Sequence, residues 1–128
     1  GAATVCAVQS RQKRQRNKKN APQVIVLGAG ASGMVAAIGA ARKGRRVRIL
    51  EHKDKPGKKL YATGNGKCNF TNEHMSVSCF HGDHLLVEGI LGKFGHEETL
   101  AFFHEIGILP LCRDGYYYPY SQTAASVV

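Results

Sequence analysis

An α/β fold built on a Rossmann-like βαβ unit is what this sequence of 128 residues predicts. Three features point to it. A short apolar run, "VIVL", leads directly into "GAGASG". An Ala-rich stretch of helical composition follows. A second apolar run then closes on an acid, Glu51, and the whole takes about 28 residues, the size of a strand–helix–strand unit.

Taken in order, residues 24–27 read as the first strand and residues 32–43 as the helix. Gly44 stands where a helix commonly ends on a left-handed residue. Residues 47–50 read as the second strand, and residues 53–72 as loop. Asp83 is placed to cap a helix over 84–93, with Leu86, Ile90 and Phe94 on one face. Residues 99–106 predict another helix, with Leu100, Phe103 and Ile106 at helical spacing and Gly107 as its stop. "ILPLCRDGYYYPYS" predicts a hairpin whose turn is Asp114-Gly115 in type I′ geometry, its tyrosines packing across the strands. No internal repeat is visible.

The formal charge of +9 is unevenly placed. Six of the 18 basic residues lie in "RQKRQRNKKN", and no acid precedes Glu51. Without that run the chain has twelve basic and nine acidic residues, so the body is only mildly basic. Residues 1–22 therefore read as a basic, disordered tail, dispensable or able to tether polyanions or direct targeting. No apolar run approaches the roughly 18 residues that span a membrane. The four cysteines show no C-x-x-C spacing, and no export signal precedes them, so a cytoplasmic protein with reduced thiols is expected.

Gly28, Gly30 and Gly33 make a G-x-G-x-x-G pattern that follows a predicted strand and opens a predicted helix, the context that gives the pattern meaning. Gly28 allows the tight turn. Gly30 offers no Cβ to an approaching pyrophosphate, and Gly33 lets the helix pack closely on the strands. The helix start presents N–H groups and the positive end of its dipole to phosphate. Glu51, 18 residues beyond Gly33, is placed to accept hydrogen bonds from an adenosine ribose and disfavours a 2′-phosphate. FAD and NAD both satisfy this pattern.

The stretch "GKKLYATGNGKCNFTN" decides between them. It fails as a Walker A loop, because Tyr61 stands where the first glycine should be and Cys68 where the final hydroxyl should be. It reads instead as a continuation of the first site, or as a plain connecting loop. Lys58, Lys59 and Lys67 supply charge for phosphate. Gly64, Asn65 and Gly66 provide backbone conformations that turn N–H groups toward a ligand, and Asn69 can pair with a polar ring edge.

The segment from "VIVLGAGASG" to "GKCNFTN" strongly resembles the N-terminus of BaiN/YhiN-type flavoproteins, also called the aminoacetone oxidase family. "FFHEIGILPLCRDGYYYPYSQTAASVV" resembles a later block of the same family, so the likeness spans about residues 23–128. The resemblance implies an FAD-binding domain of the two-dinucleotide-binding-domain type, truncated, with residues 76–128 as a helical and hairpin extension that begins an inserted domain. It implies an FAD-dependent oxidoreductase exchanging electrons between a small-molecule substrate and NAD(P)H or oxygen, with FAD contacts at Gly28, Ala29, Gly30, Ser32, Gly33 and Glu51. Lys59, Asn65, Gly66, Cys68 and Asn69 would line the flavin side. Family members are several times longer, so an N-terminal fragment is expected, with neither membrane contact nor nucleic-acid contact outside the basic tail.

Other patterns are less specific. Cys79, His81 and His84 lack the second cluster that a zinc site needs, so no metal is expected. Cys68 reads either as a redox thiol activated by nearby lysines or as a small packing residue. No catalytic residue is identifiable, and a flavoenzyme needs no nucleophile–base arrangement of its own. Two other functions fit the motifs: an NAD-dependent dehydrogenase, and a non-catalytic nucleotide-binding module tethered by its basic tail.

Overall fold

Residues 4–6 and 23–128 are described by the computed structural model, and the chain divides between Leu60 and Tyr61 into two units. The basic run lies outside the described residues, as does most of the segment expected to be disordered. Thr4–Cys6 is a strand rather than tail (β1).

In the first unit β1 is followed by β2 (Gln23–Leu27), helix α1 (Ala31–Arg42) and β3 (Arg46–Glu51). β2 and β3 run parallel with Val24 opposite Val47 and Val26 opposite Ile49, while β1 pairs antiparallel to the far edge of β3. This is the expected βαβ unit. Ala29, Ala37 and Ile49 form its buried centre, with Val26 and Val47 packed against them. Strand alternation turns Ile25 and Leu27 to the opposite face, where both are exposed.

Helix α1 stops because Gly44 takes φ +76°. Its N–H donates to the Ala41 carbonyl at 2.9 Å and that of Arg45 to Ala40 at 3.1 Å, the paired bonds of a Schellman motif.

A tight segment at Leu60–Gly66 leads the chain into the second unit, where the two-residue strand β4 (Thr71–Asn72) follows. Helices α2 (His84–Leu91) and α3 (His96–Glu105) follow, then strands β5 (Pro110–Arg113) and β6 (Tyr116–Pro119). Asp114 (φ +52°) and Gly115 (φ +79°) make the I′ turn, and β4 adds antiparallel to β6. The end of the predicted 53–72 loop is therefore part of a sheet. Its apolar content is too short to announce a strand; the pairing with Tyr116 and Tyr117 creates it.

Asp83 Oδ1 accepts from the Leu86 N–H at 3.1 Å, capping α2 as expected. Leu86, Ile90 and Phe94, expected on one face of this helix, are all exposed. Periodicity sets which face of a helix is apolar, and a covering layer must come from elsewhere. Helix α3 is held better, with Phe103 stacked on Phe70 at a ring separation of 4.1 Å. It ends at Gly107 (φ +87°) with the same paired carboxy-terminal bonds as α1. Among the described residues no helix is long and apolar enough to cross a membrane.

Candidate functional site

The turn after β2 is held from two sides at Ala29. The Ala29 N–H donates to Glu51 Oε2 at 2.7 Å, and the Ala29 carbonyl accepts from the Gly57 N–H at 2.7 Å. One residue earlier, the Gly28 N–H donates to the Leu50 carbonyl at 2.7 Å. Ala29 is buried, and these bonds orient the glycine turn against the chain leaving β3.

Each fingerprint glycine has a distinct physical reason. Gly28 has φ +92°, a conformation that L side chains rarely adopt. A Cβ on Gly33 would lie 2.1 Å from the Gly28 carbonyl oxygen, so the helix can sit on the turn only without one. Among the described residues, a Cβ on Gly30 would meet nothing within 4 Å. Gly30 therefore faces open space, the cradle that a close-approaching ligand requires.

That space belongs to a cleft of about 380 Å³ lined by Ala29, Gly30, Glu51, His52, Lys53, Lys55, Lys58 and Lys59. Helix α1 opens on it with no side-chain cap at Gly30 and no acid in its first turn, which contains Ser32. Its first N–H groups and its dipole thus favour an anion. Lys58 Nζ lies 3.1 Å from Asp54 Oδ1, but both groups are well exposed, so the pair holds the lysine only loosely.

Glu51 does more here than its position alone implied. Oε1 accepts from the Lys53 N–H at 2.8 Å while Oε2 holds Ala29. The Lys53 N–H first, and the Ala29 N–H second, hold this carboxyl below its usual range. A carboxylate oxygen can accept more than one hydrogen bond, so a ribose hydroxyl would add to these bonds rather than replace them. His52, Lys53 and Lys55 were not among the expected site residues. The charge run "EHKDKPGKK" was the available signal.

The remaining expected residues fall in the second unit. Asn65 (φ +52°), Gly66 (φ +85°) and Cys68 (φ +59°) all take left-handed backbone, as does Gly64 (φ +54°). The stretch is packed rather than open. A Cβ on Gly64 would lie 2.8 Å from the Asn69 nitrogen and 3.1 Å from the Tyr118 ring. The Asn69 Nδ2 donates toward the carbonyls of Tyr117 at 3.3 Å and Thr71 at 3.4 Å, stapling the loop to β6. Cys68 is 1% exposed, and burial pushes its thiol up against a smaller opposing hydrogen bond with Thr63. The lysine-activated thiolate is not what the structure holds; Cys68 packs.

Among the described residues no group of three or more histidines, cysteines or acids is placed to hold a metal.

Residues 22–128 match the family model described as the HI0933-like protein Rossmann domain. The chain belongs to this family. Among curated relatives of the HI0933-like domain, a 3-dehydro-bile acid delta(4,6)-reductase of Clostridium scindens is 52% identical over 106 residues, covering 80% of this chain and 26% of its own length. A ribosomal RNA dihydrouridine synthase of Escherichia coli is 41% identical over 56 residues, covering 44% of this chain and 14% of its own. One of the same name from Haemophilus influenzae is 29% identical over 85 residues, covering 66% and 21%. The chain thus spans about a quarter or less of the length of the relatives it matches. The match to the HI0933-like domain takes in both the glycine turn and the hairpin, the two blocks that carried the resemblance in the sequence.

Proposed function

We propose that this HI0933-like domain binds FAD and serves an oxidoreductase that moves electrons between a small-molecule substrate and NAD(P)H or oxygen. The observation that carries the reading is the open space over Gly30 beside a lysine-lined cleft, at the uncapped start of α1. A diphosphate fits that chemistry: Gly28, Ala29, Gly30, Ser32 and Gly33 would hold it, with Lys59 offsetting its charge. Glu51 would take the ribose. Asn65, Gly66, Cys68 and Asn69 are assigned to the flavin side, their part being to shape the backbone of that loop. When bound, the flavin supplies the two-electron redox chemistry, and the protein supplies position and electrostatics. Reduction is the direction favoured by the relatives, which are named as a reductase and as dihydrouridine synthases.

The test is a titration of the purified chain with FAD and with NAD, followed by flavin absorbance and by calorimetry. FAD binding that Gly30→Val abolishes and Glu51→Ala weakens is the expected result. Tight NAD binding without FAD binding would favour the dehydrogenase. Binding by Gly30→Val equal to that of the unaltered chain would place the cofactor elsewhere.

A further inference from the structure

The proposed cofactor site leaves Gly57 without a role, yet its geometry is among the most constrained in the first unit. It is buried, takes φ +64°, and lies 28 residues from the turn it contacts. Its N–H donates to the Ala29 carbonyl at 2.7 Å, and its own carbonyl accepts from the Leu60 N–H at 2.8 Å. The second bond turns the chain so that Lys58 and Lys59 both line the cleft.

The Ala29 carbonyl and the Gly30 nitrogen share one peptide plane. Fixing the carbonyl fixes where the Gly30 N–H points, and with it the entry into the first turn of α1. Glu51 fixes the preceding plane through the Ala29 N–H. Ala29 is thus gripped on both sides, and the N–H groups that would meet a diphosphate are oriented before any ligand arrives. Preorganised donors spare the ligand the cost of ordering them.

We infer that Gly57 is a positioning residue for the diphosphate, acting through the Ala29 carbonyl, with no contact of its own to the ligand. This rests on the dinucleotide reading of the cleft. Gly57→Ala puts a side chain on a left-handed residue, which shifts the N–H from its acceptor.

The experiment compares ADP with adenosine on the full chain by NMR titration, with circular dichroism to confirm folding. Gly57→Ala should weaken ADP by about tenfold, the effect typical of removing a partner that orients a ligating group. Adenosine affinity should stay within about twofold, since the base and ribose do not use those N–H groups. Equal ADP affinity in Gly57→Ala and the unaltered chain would overturn the inference and leave the cofactor reading intact. So would a loss of ADP and adenosine in equal proportion, the mark of a purely structural residue. If the unaltered chain binds ADP no better than adenosine, the cofactor reading fails and the inference falls with it. Should Gly57→Ala not fold, amide exchange in the unaltered chain decides: ADP, but not adenosine, should slow exchange of the Gly57 N–H, and unchanged exchange overturns the inference.

Discussion

Two glycine-rich stretches of this chain look alike in sequence and do opposite things. In "GAGASG" the central glycine faces space, and among the described residues a Cβ on Gly30 would touch nothing within 4 Å. In "TGNGKCN" the glycine is spent on packing, with a Cβ on Gly64 only 2.8 Å from the Asn69 nitrogen. Both stretches use left-handed backbone, at Gly28 in one and at Gly64, Asn65, Gly66 and Cys68 in the other. A left-handed residue therefore marks a turn, and only the surroundings decide whether the turn is a cradle or a joint.

The largest effect that can break this contrast is at Gly33. Its Cβ would fall 2.1 Å from a backbone oxygen that cannot swing away, so Gly33→Ala should cost about 3 kcal/mol or more. Gly30→Ala, three residues earlier, should cost about 1 kcal/mol or less, the penalty of a poorer helix cap. Denaturant unfolding of the two variants measures the difference, and similar losses would mean that Gly30 is packed after all.

Gly64→Ala comes next, at about 2 kcal/mol, because it combines a left-handed backbone with a close contact. Its loss should appear in stability and hairpin chemical shifts, whereas a variant at Gly30 should show its larger effect in ligand binding.

The regions also respond to opposite ends of the pH scale. Glu51 is depressed below its ordinary 4.5, chiefly by the Lys53 and Ala29 N–H groups, so its contribution is complete above pH 4.5 and fades as pH falls through the depressed value. Glu51→Gln should flatten that acid limb. In the second region the Tyr117 hydroxyl donates to Glu73 Oε1 at 3.0 Å, and the carboxylate, aided by burial, pushes the phenol up to about 12. The folded chain then keeps a proton that the unfolded one releases near 10, so this contribution is whole below pH 10 and declines between 10 and 12. A phenolate absorbance titration should show one late tyrosine, moved back toward 10 in Glu73→Gln.

The smallest effect is chemical. Cys79 is exposed and its thiol is lowered by hydrogen bonds from Ser76, while Cys68 is buried and raised. Iodoacetamide at neutral pH should modify Cys79 well before Cys68. Equal rates would mean that the joint around Cys68 opens readily.

Much of this was legible in the chain. The βαβ unit, both left-handed helix stops, the Asp83 cap and the Asp114-Gly115 turn each depend on residues close in sequence, whose backbone preferences act wherever the chain goes. The strand at Thr71–Asn72 was not legible, since two residues carry no periodicity and only Tyr116 and Tyr117 make them a strand. The exposure of Leu86, Ile90 and Phe94 was equally hidden, because an apolar face looks the same whether or not anything covers it.

By itself, then, the sequence determined the fingerprint, the strand–helix–strand order around it and the glycine stops of α1 and α3, all consequences of local sterics and short-range hydrogen bonds. Only the tertiary structure decided that Glu51 and Gly57 close on Ala29 from 22 and 28 residues away, that Cys68 is buried with its thiol pushed up, and that the Asn69 side chain bonds to its own hairpin. Those outcomes depend on which groups meet across long stretches of chain, and a hydrogen bond or buried thiol takes its character from the partner it meets.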